Sequence, residues 1–214
     1  MNPNLKIALI DYGSGNLRSI KNALLHIGDF QVDVTSEPAT ICYADCIILP
    51  GVGAFPDAMK NLRERNLIDL LNDQVLDKKK PLLGICLGMQ LLLTYSEEGG
   101  RNAGLGWIPG SVEYMELDDS FRVPHIGWND LYLKKSSTIF QTLEDDKNFY
   151  FVHSYHVVCP EEYVIGSFEY GKEFTAAVQY KNMVGMQFHP EKSQQNGMKA
   201  LKQFIEWAGN FPGA

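Results

Sequence analysis

The sequence predicts an α/β fold: an open, mostly parallel mixed sheet flanked by helices, with antiparallel strands in its second half. Three observations carry this. Short runs of Ile, Leu and Val alternate with helix-patterned segments through the first hundred residues, the signature of parallel strands covered on both faces. From about Gly104 onward short alternating segments take over and read as strands joined by turns. A chain of 214 residues with 45% hydrophobic content holds one large packed unit, and no repeat, low-complexity block or linker divides it. Residues 1–214 therefore read as a single domain.

In order, "LKIALI" is a strand, "GNLRSIKNALLHIG" a helix closed by Gly28, and "QVDVT" and "DCIILP" are strands. "FPDAMKNLRERNLIDLLNDQVL" is one helix or two, because Met59, Leu62, Leu67, Leu70 and Leu71 recur at helical spacing among charges. "KKKPLLGIC" is a buried strand that turns through glycines into an amphipathic, helical stretch, "QLLLTY". "SVEYMEL", "NDLYLK", "NFYFVHSYHVV", "EFTAAVQY" and "VGMQFHP" read as strands added antiparallel to the sheet. "GMKALKQFIEWAG" closes the chain as a helix with Leu201, Phe204, Ile205 and Trp207 on its apolar side.

A formal charge of −7 argues against nucleic-acid or anionic-membrane partners. The apolar runs are shorter than a membrane span, and the first ten residues show no signal-peptide pattern, so a cytoplasmic protein is expected. Four cysteines without a CxxC pair suggest free thiols. Cys42 and Cys46 lack a second ligand pair and read as half-buried packing residues rather than a metal site. "DYGSGN" imitates a dinucleotide fingerprint, but Arg18 stands where the third glycine belongs, so no nucleotide site is expected there.

The chemistry centres on "GICLGMQ". Glycines on both sides of Cys86, between a strand and a helix, have the logic of a nucleophile elbow, and a helix N-terminus favours a reactive thiolate. On the elbow alone, Cys86 reads equally as packing or as a nucleophile. "FHPE" supplies a base: in an extended segment His189 and Glu191 face the same side, so the carboxylate can orient the imidazole. "LPGVGAF" ends another parallel strand at the same edge of the sheet, where its backbone amides, with that of Leu87, can stabilise an oxyanion.

"PGVGAF", "GICLGMQLL" and "QFHPEKS", in that order, resemble the class I glutamine amidotransferases over about residues 5–208. Within them, "DYGSGNLRS", "PHIGWN", "YFVHSY" and "HPEKS" are most similar to the glutaminase subunits of imidazole glycerol phosphate synthases, with Ile126 where Met is frequent. The resemblance implies Cys86 as nucleophile, His189 as base then acid, and Glu191 as orienting carboxylate. It implies Gly51, Val52 and Gly53 as an oxyanion strand with the Leu87 amide. Gln90, Glu98 at the far end of the elbow helix, and the backbone at Ser154 and Tyr155 would hold glutamine. Trp128, Asn129, Tyr150 and Lys192 would lie near a synthase interface. No cofactor or metal is implied. The partner would be a cyclase (β/α) barrel subunit in a heterodimer of histidine biosynthesis that receives ammonia. Rival readings are an ammonia supplier for amino- or amidino-sugar synthesis, a cysteine hydrolase of the same fold, and a non-enzymatic binding module.

Overall fold

The computed structural model describes residues 5–143 and 147–212; the first four residues, on which the leader-free reading partly rests, lie outside them. The elements are β1 (Lys6–Ile10), α1 (Leu17–Ile27), β2 (Gln31–Thr35), α2 (Pro38–Tyr43), β3 (Cys46–Leu49), α3 (Phe55–Glu64), α4 (Leu67–Asn72), β4 (Leu82–Ile85) and α5 (Leu87–Gln90). They continue with β5 (Leu93–Ser96), β6 (Asn102–Ala103), β7 (Ile108–Tyr114), β8 (His125–Asp130), β9 (Tyr132–Leu133), β10 (Asn148–His153), β11 (Tyr155–Val158), β12 (Val164–Tyr170), β13 (Lys172–Tyr180), β14 (Met183–Met186) and α6 (Gln194–Gly209).

The main sheet has eight strands in the order β2-β1-β3-β4-β14-β13-β12-β9. Strands β2 to β14 along that order are parallel, and β13, β12 and β9 extend the sheet antiparallel. Successive residues of the parallel strands feed two different cores. Ile7, Leu9, Ile48, Leu83, Ile85, Val184 and Met186 pack with α1 and α6 on one face. Ala8, Ile10, Ile47, Leu49, Leu82 and Met183 pack with α3 and α4 on the other. Burial on both faces is why these strands read as continuous apolar runs.

The second half is more divided than its sequence suggests. Only β9, β12, β13 and β14 join the main sheet; β8 and β10 form a two-stranded ribbon, and β11-β7-β5-β6 a separate four-stranded sheet. "NFYFVHSYHVV" is two strands broken at Ser154, because β10 pairs with β8 while β11 pairs with β7. Strand β12 escaped the sequence reading: Val164–Phe168 is buried at every position, so it shows no alternation. The elbow helix is only one turn long. Leu91 and Leu92 leave it, Leu92 O accepts the amides of Trp107 and Ile108 (both 2.9 Å), and the chain continues as β5. Gly28 follows α1 as expected but is extended (φ 174°); a Cβ there would lie 2.6 Å from the Phe30 ring, so packing rather than a left-handed cap requires it. Between α3 and α4, Asn66 adopts a left-handed conformation (φ 55°) and separates two helices. Cys46 is fully buried and Cys42 exposed, so only the first is a packing residue.

Helix α6 starts against the turn that follows β14. A Cβ on Gly197 would stand 1.8 Å from the Pro190 carbonyl oxygen, so helix and turn meet backbone to backbone. Gly197→Ala is expected to lower stability by about 2–3 kcal/mol through overpacking at this contact. Urea unfolding measures it, and an unchanged midpoint would show that the turn yields freely.

Candidate active site

The carboxyl ends of β1, β3, β4 and β14 converge at one edge of the main sheet, where ligands bind in open α/β sheets. Each end contributes. Strand β4 runs into Cys86, whose backbone (φ 52°, ψ −111°) lies outside the regions L-residues favour. The flanking glycines make this possible by close approach: a Cβ on Gly88 would fall 1.9 Å from Leu49 O, and one on Gly84 would fall 2.7 Å from Gly88 O. Because α5 has four residues, it lends Cys86 the polar end of one turn and not of a long helix.

Strand β14 runs into Gln187, His189 and Glu191. The His189 Nδ1 donates to Glu191 Oε1 at 2.8 Å, with both side chains essentially inaccessible. Burial pulls the His189 pKa down, but Cys86 and Glu191 beside it more than offset this and push it up to about 9. Its Nε2 is buried and has no hydrogen-bond partner among the described residues. Ser193 fixes the backbone here: its hydroxyl donates to His189 O (2.6 Å) and accepts from the Tyr150 amide (3.0 Å), while the His189 amide donates to Tyr150 O (2.9 Å).

A cavity of about 290 Å³ brings together Cys86, Leu87, His189, Val52, Gly53, Gln90, Glu98, Ser154 and Tyr155. Eleven sequence-derived candidates thus find one place or its wall. Glu191 stands behind His189, and Gly51 packs behind the cavity, where a Cβ would meet Leu87 and Gly88 at 2.7–2.8 Å. The Val52 amide donates to Ser14 Oγ at 3.0 Å, so it is engaged within the protein. Gln90 Nε2 donates to Tyr155 O (2.9 Å) and Gln187 Oε1 (3.0 Å), which leaves its own carbonyl oxygen for a ligand. Glu98 lies beyond β5, not at the end of a helix; its Oε2 accepts the Phe55 amide at the start of α3 (2.8 Å). The carbonyls of Ser154 and Tyr155 already accept bonds, from Met115 and from Gln90 and His153.

Of the four interface candidates, three cluster. Trp128 (45% exposed) stands across from Tyr150 on the β8–β10 ribbon with ring centroids 6.0 Å apart, and Lys192 Nζ lies 5.8 Å over the Tyr150 ring. Ile126 (60% exposed) extends this patch. Asn129 does not belong to it: it alternates to the other face of β8 and its Nδ2 donates to Glu169 O (2.8 Å).

The sequence reading missed several contributors. Gln187 Nε2 lies 3.7 Å from Cys86 Sγ, and the same period of two that pairs His189 with Glu191 points to it. His153 lines the cavity with Nδ1 bonded to Tyr155 O (2.9 Å), so the neutral ring carries its proton there. The loop after β1 contributes Tyr12, whose hydroxyl donates to Pro50 O (2.7 Å), and Ser14.

Comparison with known proteins shows the family to which the chain belongs. The model of the family described as glutamine amidotransferase class-I matches residues 8–207. The chain is similar to imidazole glycerol phosphate synthase subunit HisH 2 of Vibrio vulnificus (strain YJ016), 61% identical over 95% of each chain. It is similar to subunit HisH 1 of Campylobacter jejuni (strain RM1221), 47% identical over 93% of this chain and 98% of the relative. A solved glutamine amidotransferase shares the fold, with a TM-score of 0.72 at 20% identity, covering 94% of this chain and 98% of the other.

The His153 site makes a stability prediction. Burial, ahead of every other influence, lowers the His153 pKa to about 3, so the folded chain refuses a proton that the unfolded chain accepts near its ordinary value of 6.5. The associated stability is complete above pH 6.5 and is lost as pH falls toward 3, a loss of about 2 kcal/mol at about pH 5. Urea unfolding at about pH 7.5 and about pH 5 should show His153→Asn losing about 2 kcal/mol less than the parent across that interval. Equal losses would mean that His153 titrates normally.

Proposed function

The chain belongs to the class I glutamine amidotransferases, and from that membership we propose that it is the glutaminase subunit of an imidazole glycerol phosphate synthase in histidine biosynthesis. The observation that carries the reading is the buried His189–Glu191 pair opening on the same small cavity as the strained Cys86. The HisH relatives, similar over nearly their whole length, support the pathway. The residues 1–214 act as one domain, in the cytoplasm.

With His189 carrying a proton near neutral pH, Cys86 is the thiolate partner of an imidazolium. Glutamine enters with its α-ammonium group toward the Glu98 carboxylate and the Gln90 carbonyl oxygen, and its side-chain amide toward Cys86. The thiolate adds to the amide carbon, and the carbonyl electron pair moves onto oxygen. Leu87 and Val52 amides face that oxygen once Val52 exchanges its bond to Ser14 for one to the oxyanion; Gly53, at φ 99°, gives the strand the freedom to turn. His189 Nε2 delivers its proton to the leaving nitrogen, the C–N bond breaks, and ammonia departs from a thioester. The now neutral His189 takes a proton from water, hydroxide adds to the thioester, and collapse releases glutamate and restores the thiolate. Glu191 keeps Nδ1 protonated throughout and balances the imidazolium charge.

Ammonia is useful only if it reaches its acceptor unprotonated. The Ile126, Trp128, Tyr150 and Lys192 patch, beside a cavity wall supplied by the same strand β10, suits docking of a cyclase (β/α) barrel subunit. That partner adds the nitrogen to a phosphoribulosyl aminoimidazole carboxamide intermediate, forming imidazole glycerol phosphate and an aminoimidazole carboxamide ribotide.

Cys86→Ala in complex with the synthase partner should lose glutamine-dependent synthesis by at least about a thousandfold. Synthesis from ammonium salts should remain near the parent level. Retained glutamine turnover would remove Cys86 from the chemistry, and loss of the ammonium reaction would mean the substitution damages the partner or the assembly.

A further inference from the structure

The "DYGSGN" segment is no phosphate loop, yet it reaches three parts of the site. It leaves the end of β1 with Gly13 at φ 91° and Asn16 at φ 73°, a left-handed conformation that Asn adopts more readily than most residues. Tyr12 bonds to Pro50 O, Ser14 to the Val52 amide, and Asn16 Nδ2 to Glu191 Oε1 at 2.5 Å. Asn16 occupies the N-cap of α1, where an Asn side chain ordinarily accepts a bond from the helix's first amides. Here it makes no cap bond. Its amide is turned instead to a carboxylate 175 residues away in sequence.

We propose that Asn16 is a positioning residue of the glutaminase reaction, acting through Glu191 on His189. The proposal rests on the assignment of Cys86, His189 and Glu191 made above. Glu191 Oε1 accepts from both His189 Nδ1 and Asn16 Nδ2, whereas Oε2 is buried and has no partner among the described residues. Two donors converging on one oxygen fix the rotation of the carboxylate and keep that oxygen on Nδ1. Without Asn16, the imidazole would be the remaining anchor of a buried anion, and the carboxylate could swing between its two oxygens.

The donor's chemistry matters as much as its place. A neutral amide holds the carboxylate without cancelling its charge, so the full negative charge still stabilises the imidazolium. A lysine or arginine in the same place would compete with the imidazolium for it. Other ionisable groups lie round about. Cys86 is beyond His189, neutral His153 lines the cavity, and His26 of α1 with Lys192, Lys199 and Lys202 lines a groove on the far side of Glu191. Asp11, at the start of the loop, accepts the Gly13 amide at 3.0 Å.

Two variants of the full chain test this. Asn16→Ala removes the donor. In complex with the synthase partner it should lower kcat for glutamine by about tenfold or more, with KM changed by less than about threefold. On the isolated full chain, the rate of Cys86 alkylation by iodoacetamide against pH should show its acid limb moved upward by about half a pH unit or more, because a loosened Glu191 stabilises the imidazolium, and hence the thiolate, less.

Asn16→Asp keeps the shape and tolerates the left-handed backbone. Its carboxyl donates to Glu191 only while protonated, so the ratio of its glutaminase rate to the parent's should fall by about tenfold between about pH 6 and about pH 9. A constant ratio, or an alkylation profile of Asn16→Ala superimposed on the parent's, overturns the proposal, whatever happens to kcat. If Asn16→Ala does not fold, the Asn16→Asp ratio decides alone. Failure of iodoacetamide to modify Cys86 in the parent chain overturns the triad itself, and the proposal with it, and is recognised because no substitution is involved.

Discussion

The site depends on one contact between backbones: the Cα of Gly88 lies against the carbonyl of Leu49, so close that a methyl group would sit 1.9 Å from the oxygen. Strands β3 and β4 are neighbours in register, and only at this distance can the turn after β4 tuck under the loop after β3. Gly84 and Gly51 are held to glycine by the same crowding. The tuck forces Cys86 into its unfavourable backbone conformation and aims it at the space between the loops. Strain of this kind costs on the order of 1–3 kcal/mol and persists only where the surroundings fix it. Here the Cys86 amide bonds to Met186 O at 2.7 Å, on the neighbouring strand β14. The strand that braces the nucleophile is therefore the strand that delivers the base.

Electrostatics follows from that geometry. His189 and Glu191 are removed from water, an arrangement that would be costly for either alone. Cys86 beside the imidazole and the bond to Glu191 offset the cost and raise the imidazole's proton affinity. A few residues away, His153 meets the opposite fate: burial without an acid partner holds it neutral. Two histidines on one cavity thus differ in charge at neutral pH because Cys86 and Glu191 offset the burial of His189, whereas burial dominates at His153 despite its bond to the Tyr155 carbonyl. Proton delivery is confined to the one that can use it.

Much of this was legible in sequence, for identifiable reasons. The central parallel strands β3, β4 and β14 announced themselves because burial on both faces leaves no polar positions, and the elbow and its base because glycine spacing and a period of two are local rules. The loop after β1 was not legible. Asn16 meets Glu191 only because α1 packs beside α6 and the turn that follows β14, and no local pattern encodes that approach. Gln187 could have been found from its spacing to His189. The length of the elbow helix was misjudged because "LLLTY" suits a helix or a strand equally, and tertiary pairing with β7 decided it. Asn129 faces away from Trp128 because neighbours on a strand point opposite ways, so sequence adjacency does not place them in one patch.

The exposed patch is coupled to the base by hydrogen bonds, not only by proximity. Tyr150 contributes its ring to the patch, while its amide and carbonyl bond to the Ser193 hydroxyl and the His189 amide. Two residues on, Val152 presents its carbonyl 4.0 Å from Cys86 Sγ. Strand β10 thus carries the Tyr150 ring outward while its backbone touches both Cys86 and the His189 segment. Strands β8 and β10 have no ladder to the eight-stranded sheet, but Phe149 packs on Phe188 and Phe151 on Phe168, so core packing as well as these backbone bonds sets the ribbon's place beside the base.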